Sequence, residues 1–136
     1  MFDVDPADGS IHNRRRLITF SPGEGRPDGL CVDDDGYIWV AVFYGGAVRR
    51  YTPAGTYSRE IRVSAPLVTS CGIGGSSREL LFITTASIRM SQDKLRKAGM
   101  PLEMGQRAAQ ADGAGGIFFA RPGTTGPEAV RYRVRG

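Results

Sequence analysis

The chain has 136 residues, 40% hydrophobic and 24% charged, proportions that suit one globular domain with a modest core. Its net charge of +4 is carried mostly by scattered arginines. The single cluster, Arg14-Arg15-Arg16, has no aromatic platform or nucleic-acid motif beside it, so it reads as a solvated edge strand and no nucleic-acid partner is expected. No apolar run approaches the ~18 residues of a membrane span, and the opening MFDVDPADGS is acidic and turn-forming where a secretory leader would be basic and apolar. Two cysteines, Cys31 and Cys71, are too few for a disulfide scaffold; both lie in apolar strand patterns and read as buried free thiols in a reducing, cytoplasmic setting.

The patterns along the chain are short and β-like. FDVDPADGSIHNRRRLITF (Phe2–Phe20) reads as two strands around a turn. GLCVD (Gly29–Asp33) reads as a strand, Asp34-Asp35-Gly36 as a turn, and YIWVAVF (Tyr37–Phe43), rich in β-branched and aromatic residues, as a buried strand. Gly45-Gly46 turns the chain into AVRRYTP (Ala47–Pro53), and YSREIRV (Tyr57–Val63) has the polarity of an outer strand.

The pattern then recurs about 41 residues on. SCGIGG (Ser70–Gly75) matches GLCVDD, LLFITTA (Leu80–Ala86) matches YIWVAVF, GGIFFARPG (Gly115–Gly123) matches GGAVRRYTP, and EAVRYRVRG (Glu128–Gly136) supplies a fourth strand. The opening residues fit as a third and fourth strand, with Pro6 placed as Pro53 is. Between the second and third strands of the later unit lies an insertion, Ser87 to Ala114. SQDKLRKAG within it predicts a short helix from an N-cap at Ser91 to a terminal Gly99, with Leu95 against the body, and the residues from Pro101 on read as a second helical turn and a loop.

Four antiparallel strands per ~40 residues is the signature of a β-propeller blade. The expected fold is therefore all-β: a half blade over residues 1–20, a full blade over 27–63, and a full blade over 67–136 carrying the insertion at 87–114. About two and a half blades cannot close a ring, and terminal blades expose strand edges, so the chain reads as the C-terminal part of a longer propeller whose complementary blades would be its partners.

Among candidate site residues, Asp28 stands between Pro27 and Gly29 at the start of an innermost strand. By its residues alone it is either a turn or edge cap or a functional carboxylate. Asp33, Asp34 and Asp35 suggest a calcium loop, but with Gly36 as the loop glycine the first position is Cys31 and the twelfth is Val42, so a surface turn is expected. Thr69 and Ser70 occupy the equivalent start of the next unit's inner strand and are candidate ligand contacts or structural hydroxyls. Glu24 is a candidate for the rim. His12, the single histidine, falls in an outer polar strand, so no Ser-His-Asp arrangement is available. Trp39 and Phe43 are expected as core anchors.

Taken together, FDVDPADGSIHNRR, EGRPDGLCVDDDGYIWVAVFYGGAVRRYTPAG and TSCGIGG…LLFITTA…GAGGIFFARPGTTG resemble the SMP-30/gluconolactonase/LRE (regucalcin-like) family over nearly the whole chain, with only the insertion loose. The resemblance implies a six-bladed propeller with one divalent metal ion (Ca, Zn, Mn or Mg) in its central channel, hydrolysing small sugar lactones with a metal-activated water. It implies three protein ligands: a glutamate near the full-length N-terminus, an asparagine in an NG motif, and the aspartate of PDG. Only the last has a counterpart here, Asp28, which becomes the expected metal ligand and acid/base. The chain is accordingly expected to be a truncated form of such a lactonase. The rival readings are a non-catalytic propeller fragment and a calcium-binding regulatory protein.

Overall fold

The apolar run at Ile38–Phe43 organises the structure. In the computed structural model, which describes residues 1–129, this run is β4, with Trp39, Ala41 and Val42 fully buried. A continuous apolar strand bounded by turns is one covered on both faces. β4 lies between β3 (Arg26–Val32) and β5 (Ala47–Tyr51), and β6 (Tyr57–Arg62) completes an antiparallel sheet in the order β3-β4-β5-β6. The four expected strands thus form one meander.

A second antiparallel sheet, β7-β8-β9, is built from Val68–Gly74, Leu80–Thr85 and Ile117–Ala120. The main core lies between the sheets: Trp39, Ala41 and Val48 from the first meet Val68, Cys71, Leu81 and Ile83 from the second. Fully burying an aliphatic or aromatic side chain contributes about 1.5–3 kcal/mol, so this interface holds the two units together. Of the strand expected over Glu128–Gly136, Glu128 and Ala129 are in no strand, and the rest lies outside the described residues.

The opening segment departs from expectation. β1 (Asp3–Val4) and β2 (Ile11–His12) have two residues each and, among the described residues, pair only with one another, around a turn in which Asp5 accepts from the N–H groups of Ala7 and Gly9. Arg14-Arg15-Arg16, expected on an edge strand, is exposed and lies in no strand. The physical reason is partnership: a short hairpin is marginal without a third strand or an apolar surface beneath it, and six consecutive turn-favouring or small residues, Asp5 to Ser10, dominate the local sequence.

The insertion folds as expected over its first helix. α1 (Gln92–Ala98) starts at Ser91, whose side chain accepts from the Lys94 N–H, and ends at Gly99 in the left-handed region (φ 68°), where a side chain would be strained. α2 (Met104–Gln110) follows. Leu95 is fully buried in a second cluster with Tyr44, Leu67, Met100 and Ala108. Tyr44 follows β4 and Leu67 precedes β7, so the insertion caps the end of the sheets at which β3 begins; there the Arg26 guanidinium donates to the Lys97 carbonyl at 3.1 Å. Among the described residues no helix is long and apolar enough to cross a membrane.

Candidate site at the start of the inner strands

Both inner strands carry an irregularity at the same place. In β3, Pro27 pairs with Val42 and Leu30 with Val40, so Asp28 and Gly29 together oppose the single residue Ala41. In β7, Val68 pairs with Thr85 and Ser70 with Thr84, leaving Thr69 as the extra residue. Such bulges re-aim side chains and occur preferentially near sites. The spacing from Asp28 to Thr69 is the repeat period read from the sequence.

Gly29 explains how the two bulges come together. Its backbone lies so close to Ser70 that a β-carbon there would collide with the serine side chain and come within 2.8 Å of its Cα. Asp28 and Ser70 are thereby held on touching strands. Thr69 is half-buried, and its hydroxyl shares a 2.8 Å hydrogen bond with that of Thr84. Asp28 itself is exposed, and among the described residues no side chain pairs with it or hydrogen-bonds to it. It lies on the wall of an open cavity of about 800 Å³ between the opening segment and one face of β3 and β4; Arg14, Phe20, Leu30 and Val40 also line this space.

The aspartate triplet sits at the far end of β3 and has another task. Asp33, expected on a surface turn, is only 3% exposed. Its Oδ1 accepts from the Asp35 and Tyr37 N–H groups, and its Oδ2 from Trp39 Nε1 at 2.9 Å and from Arg50 Nε and Nη2 at 2.9 and 2.7 Å. Burial alone pushes the Asp33 carboxyl up, but the bonds from Arg50, Trp39 and Tyr37 outweigh it and hold the group below the usual carboxylate range. Arg50 in turn stacks over Tyr37 at 3.7 Å. Asp34 and Asp35 reach the second unit, accepting from the hydroxyls of Thr125 and Thr124. The triplet does turn the chain, and it also clasps the two units.

Glu24, the rim candidate, is engaged elsewhere: it accepts from the Ser21 N–H at 2.7 Å and pairs with Arg49 at 3.0 Å, and the two together hold its carboxyl below the usual range. His12 contacts Ser10 at 2.8 Å on the outer hairpin. Cys31 and Cys71 are free thiols, as expected, Cys71 buried and Cys31 half-buried. Trp39 is a core anchor, and Phe43 packs on the cluster beneath the helices. Sequence reasoning missed the burial of Asp33. The available signal was the pair of donors Trp39 and Arg50, which register opposite each other on β4 and β5.

A divalent ion needs several oxygens arranged around it. Among the described residues no three His, Cys, Asp or Glu side chains gather where they could hold a metal ion. Asp33 is engaged on both oxygens by five donors, and Glu24 is paired with Arg49 and the Ser21 N–H. The donor set of the described residues therefore does not fit such an ion by itself.

Comparison with known proteins follows the same lines. The chain is 40% identical over 97 residues to regucalcin of Danio rerio, covering 71% of this chain and 33% of that protein. It is 32% identical over 132 residues to YvrE of Bacillus subtilis, which bears the name of a proposed sugar lactone lactonase, covering 96% of this chain and 41% of that one. The chain thus spans between a third and about two fifths of these relatives. Among solved structures, a luciferin-regenerating enzyme matches 98% of this chain and 41% of its own with a TM-score of 0.76 at 24% identity, and a calcium-binding protein, regucalcin, of Agrobacterium tumefaciens matches the same shares at 0.72 and 21%. These two likenesses establish the fold. The family model described as the SMP-30/gluconolactonase/LRE-like region matches residues 1–87, and with that match across well over half of its length the chain belongs to this family.

Proposed function

We propose that the chain is the C-terminal part of a six-bladed propeller that hydrolyses sugar lactones, in which Asp28 is the carboxylate at the reacting centre and Thr69 and Ser70 contact the substrate. The observation that carries this reading is the position of Asp28: an exposed carboxylate, claimed by no partner among the described residues, on a bulge at the start of an inner strand. In lactone hydrolysis such a group takes a proton from the attacking water and returns it to the alkoxide that leaves when the ring opens; a positioned acid/base contributes ~10²–10⁴-fold.

The outer faces of both sheets support the reading that further blades pack here. Leu30 on β3 is 59% exposed, and Ile117 and Phe119 on β9 are 69% and 72% exposed, which is more apolar surface than a strand facing water ordinarily presents. The divalent ion that the family implies would take Asp28 as one ligand, with its other oxygens from outside these 136 residues; no step is assigned to it.

Hydrolysis of gluconolactone by the intact protein, followed by acid release, tests this. Asp28→Ala is expected to lower kcat by about 10²-fold or more with the melting temperature unchanged. Full turnover in the variant would overturn the reading, and an intact protein that lacks turnover would favour the non-catalytic or calcium-binding alternatives.

A further inference from the structure

Cys31 and Cys71 stand on neighbouring inner strands of the two sheets, 40 residues apart in sequence, with their sulfurs 3.8 Å apart. Neither is part of the carboxylate chemistry proposed above. A disulfide brings sulfurs to about 2.05 Å, so bond formation requires a closure that two side-chain rotations share. The two thiols differ in burial: Cys71 is buried, with its sulfur 3.4 Å from the Trp39 carbonyl, whereas Cys31 is half-buried.

We propose that Cys31 and Cys71 form a two-electron redox site, oxidised by a small hydroperoxide to a disulfide that staples β3 to β7. In the first step the Cys31 thiolate attacks the terminal peroxide oxygen; the O–O bond breaks, Cys31 becomes a sulfenic acid, and the departing alkoxide takes up the thiol proton as an alcohol. In the second, the Cys71 sulfur attacks the Cys31 sulfur, the S–O bond breaks, and hydroxide leaves with the Cys71 proton as water. Two thiols lose two electrons and two protons, and the peroxide is reduced to alcohol and water. The contact between the two sulfurs favours the thiolate at Cys31, while the same contact and burial push the Cys71 thiol up. This assigns the attacking role to Cys31 and the resolving role to Cys71. The link would lock together the two strands that carry Asp28 and Thr69, and it rests on the sulfur geometry independently of the lactonase reading.

The test is peptide mapping of the folded, reduced chain after brief hydrogen peroxide treatment, with catalase quenching, unfolding and N-ethylmaleimide labelling. The expected result is loss of both alkylatable thiols and a peptide joining Cys31 to Cys71, lighter by two hydrogen atoms than the reduced pair and cleaved by dithiothreitol. In denaturant the same link is expected to form at least about tenfold more slowly, because the folded chain holds the sulfurs in place. Cys31 recovered as sulfinic acid with Cys71 alkylated, a link between two chains, or equal rates folded and unfolded would each overturn the proposal.

Discussion

Gly29 lies directly against Ser70, and this contact joins the two repeated units at the place where Asp28 and Thr69 emerge. A β-carbon at residue 29 would sit 2.8 Å from the Ser70 Cα, a backbone atom that cannot swing away. Gly29→Ala is therefore expected to separate the inner strands and cost about 1–3 kcal/mol, the usual penalty of overpacking a filled interface. Urea unfolding monitored by Trp39 fluorescence checks this. An unchanged midpoint would mean that the strands are not in contact.

The aspartate triplet divides by burial. Asp33→Ala leaves the Arg50 guanidinium, whose side chain is only 12% exposed, without its buried carboxylate partner, and is expected to cost about 3–5 kcal/mol. Asp35 is largely exposed, and its pair with Arg50 is worth under about 1 kcal/mol. Asp33→Ala and Asp35→Ala compared in the same denaturant series should differ by several-fold in stability loss; equal effects would refute the buried role of Asp33.

The Asp33 carboxyl is also expected to shape acid stability. Its pKa in the folded chain is lowered, against about 3.9 unfolded, so near that pH the unfolded chain binds more protons than the folded one. The stability it contributes is present above pH ~4 and is lost as pH falls through the folded value. Stability measured between neutral pH and pH 3 should fall less steeply in Asp33→Asn than in the natural chain. Parallel curves would show that Asp33 titrates alike in both states.

Calorimetric titration of the 136-residue chain with Ca²⁺ is expected to give no saturable stoichiometric heat, since the described residues hold no cluster of three metal-ligating side chains. Tight binding of one ion would show that the chain completes a site from its own atoms.

Much of the fold was legible because hairpins announce themselves locally. Ile38–Phe43 is apolar throughout and its neighbours are bounded by Gly, Asp and Pro, so strand identity and order followed from short stretches of chain. Ser91 and Gly99 marked the ends of α1 for the same reason. The opening segment was less legible: its strand-like composition is expressed only when a partner strand lies beside it, and among the described residues β1 and β2 find only each other. At the candidate site, the position of Asp28 came from the repeat and the PDG motif. The burial of Asp33 was hidden because its donors, Trp39 and Arg50, come from two other strands and meet it only after the sheet forms. The placement of the insertion over the same end of the sheets as Asp28 was likewise a matter of tertiary packing.

The paired bulges have a consequence for tolerance. A residue within a regular ladder must suit whichever face its alternation assigns, core or solvent. Asp28 and Thr69 escape that rule in part, because Asp28 shares the single opposing residue Ala41 with Gly29 and Thr69 has no opposing residue at all. A carboxylate in one unit and a hydroxyl in the next can therefore occupy equivalent places on nearly the same backbone. The scaffold thus sets a bulge at the same end of each of the two sheets, where the side chain can change with less demand on the ladder than at a regular position.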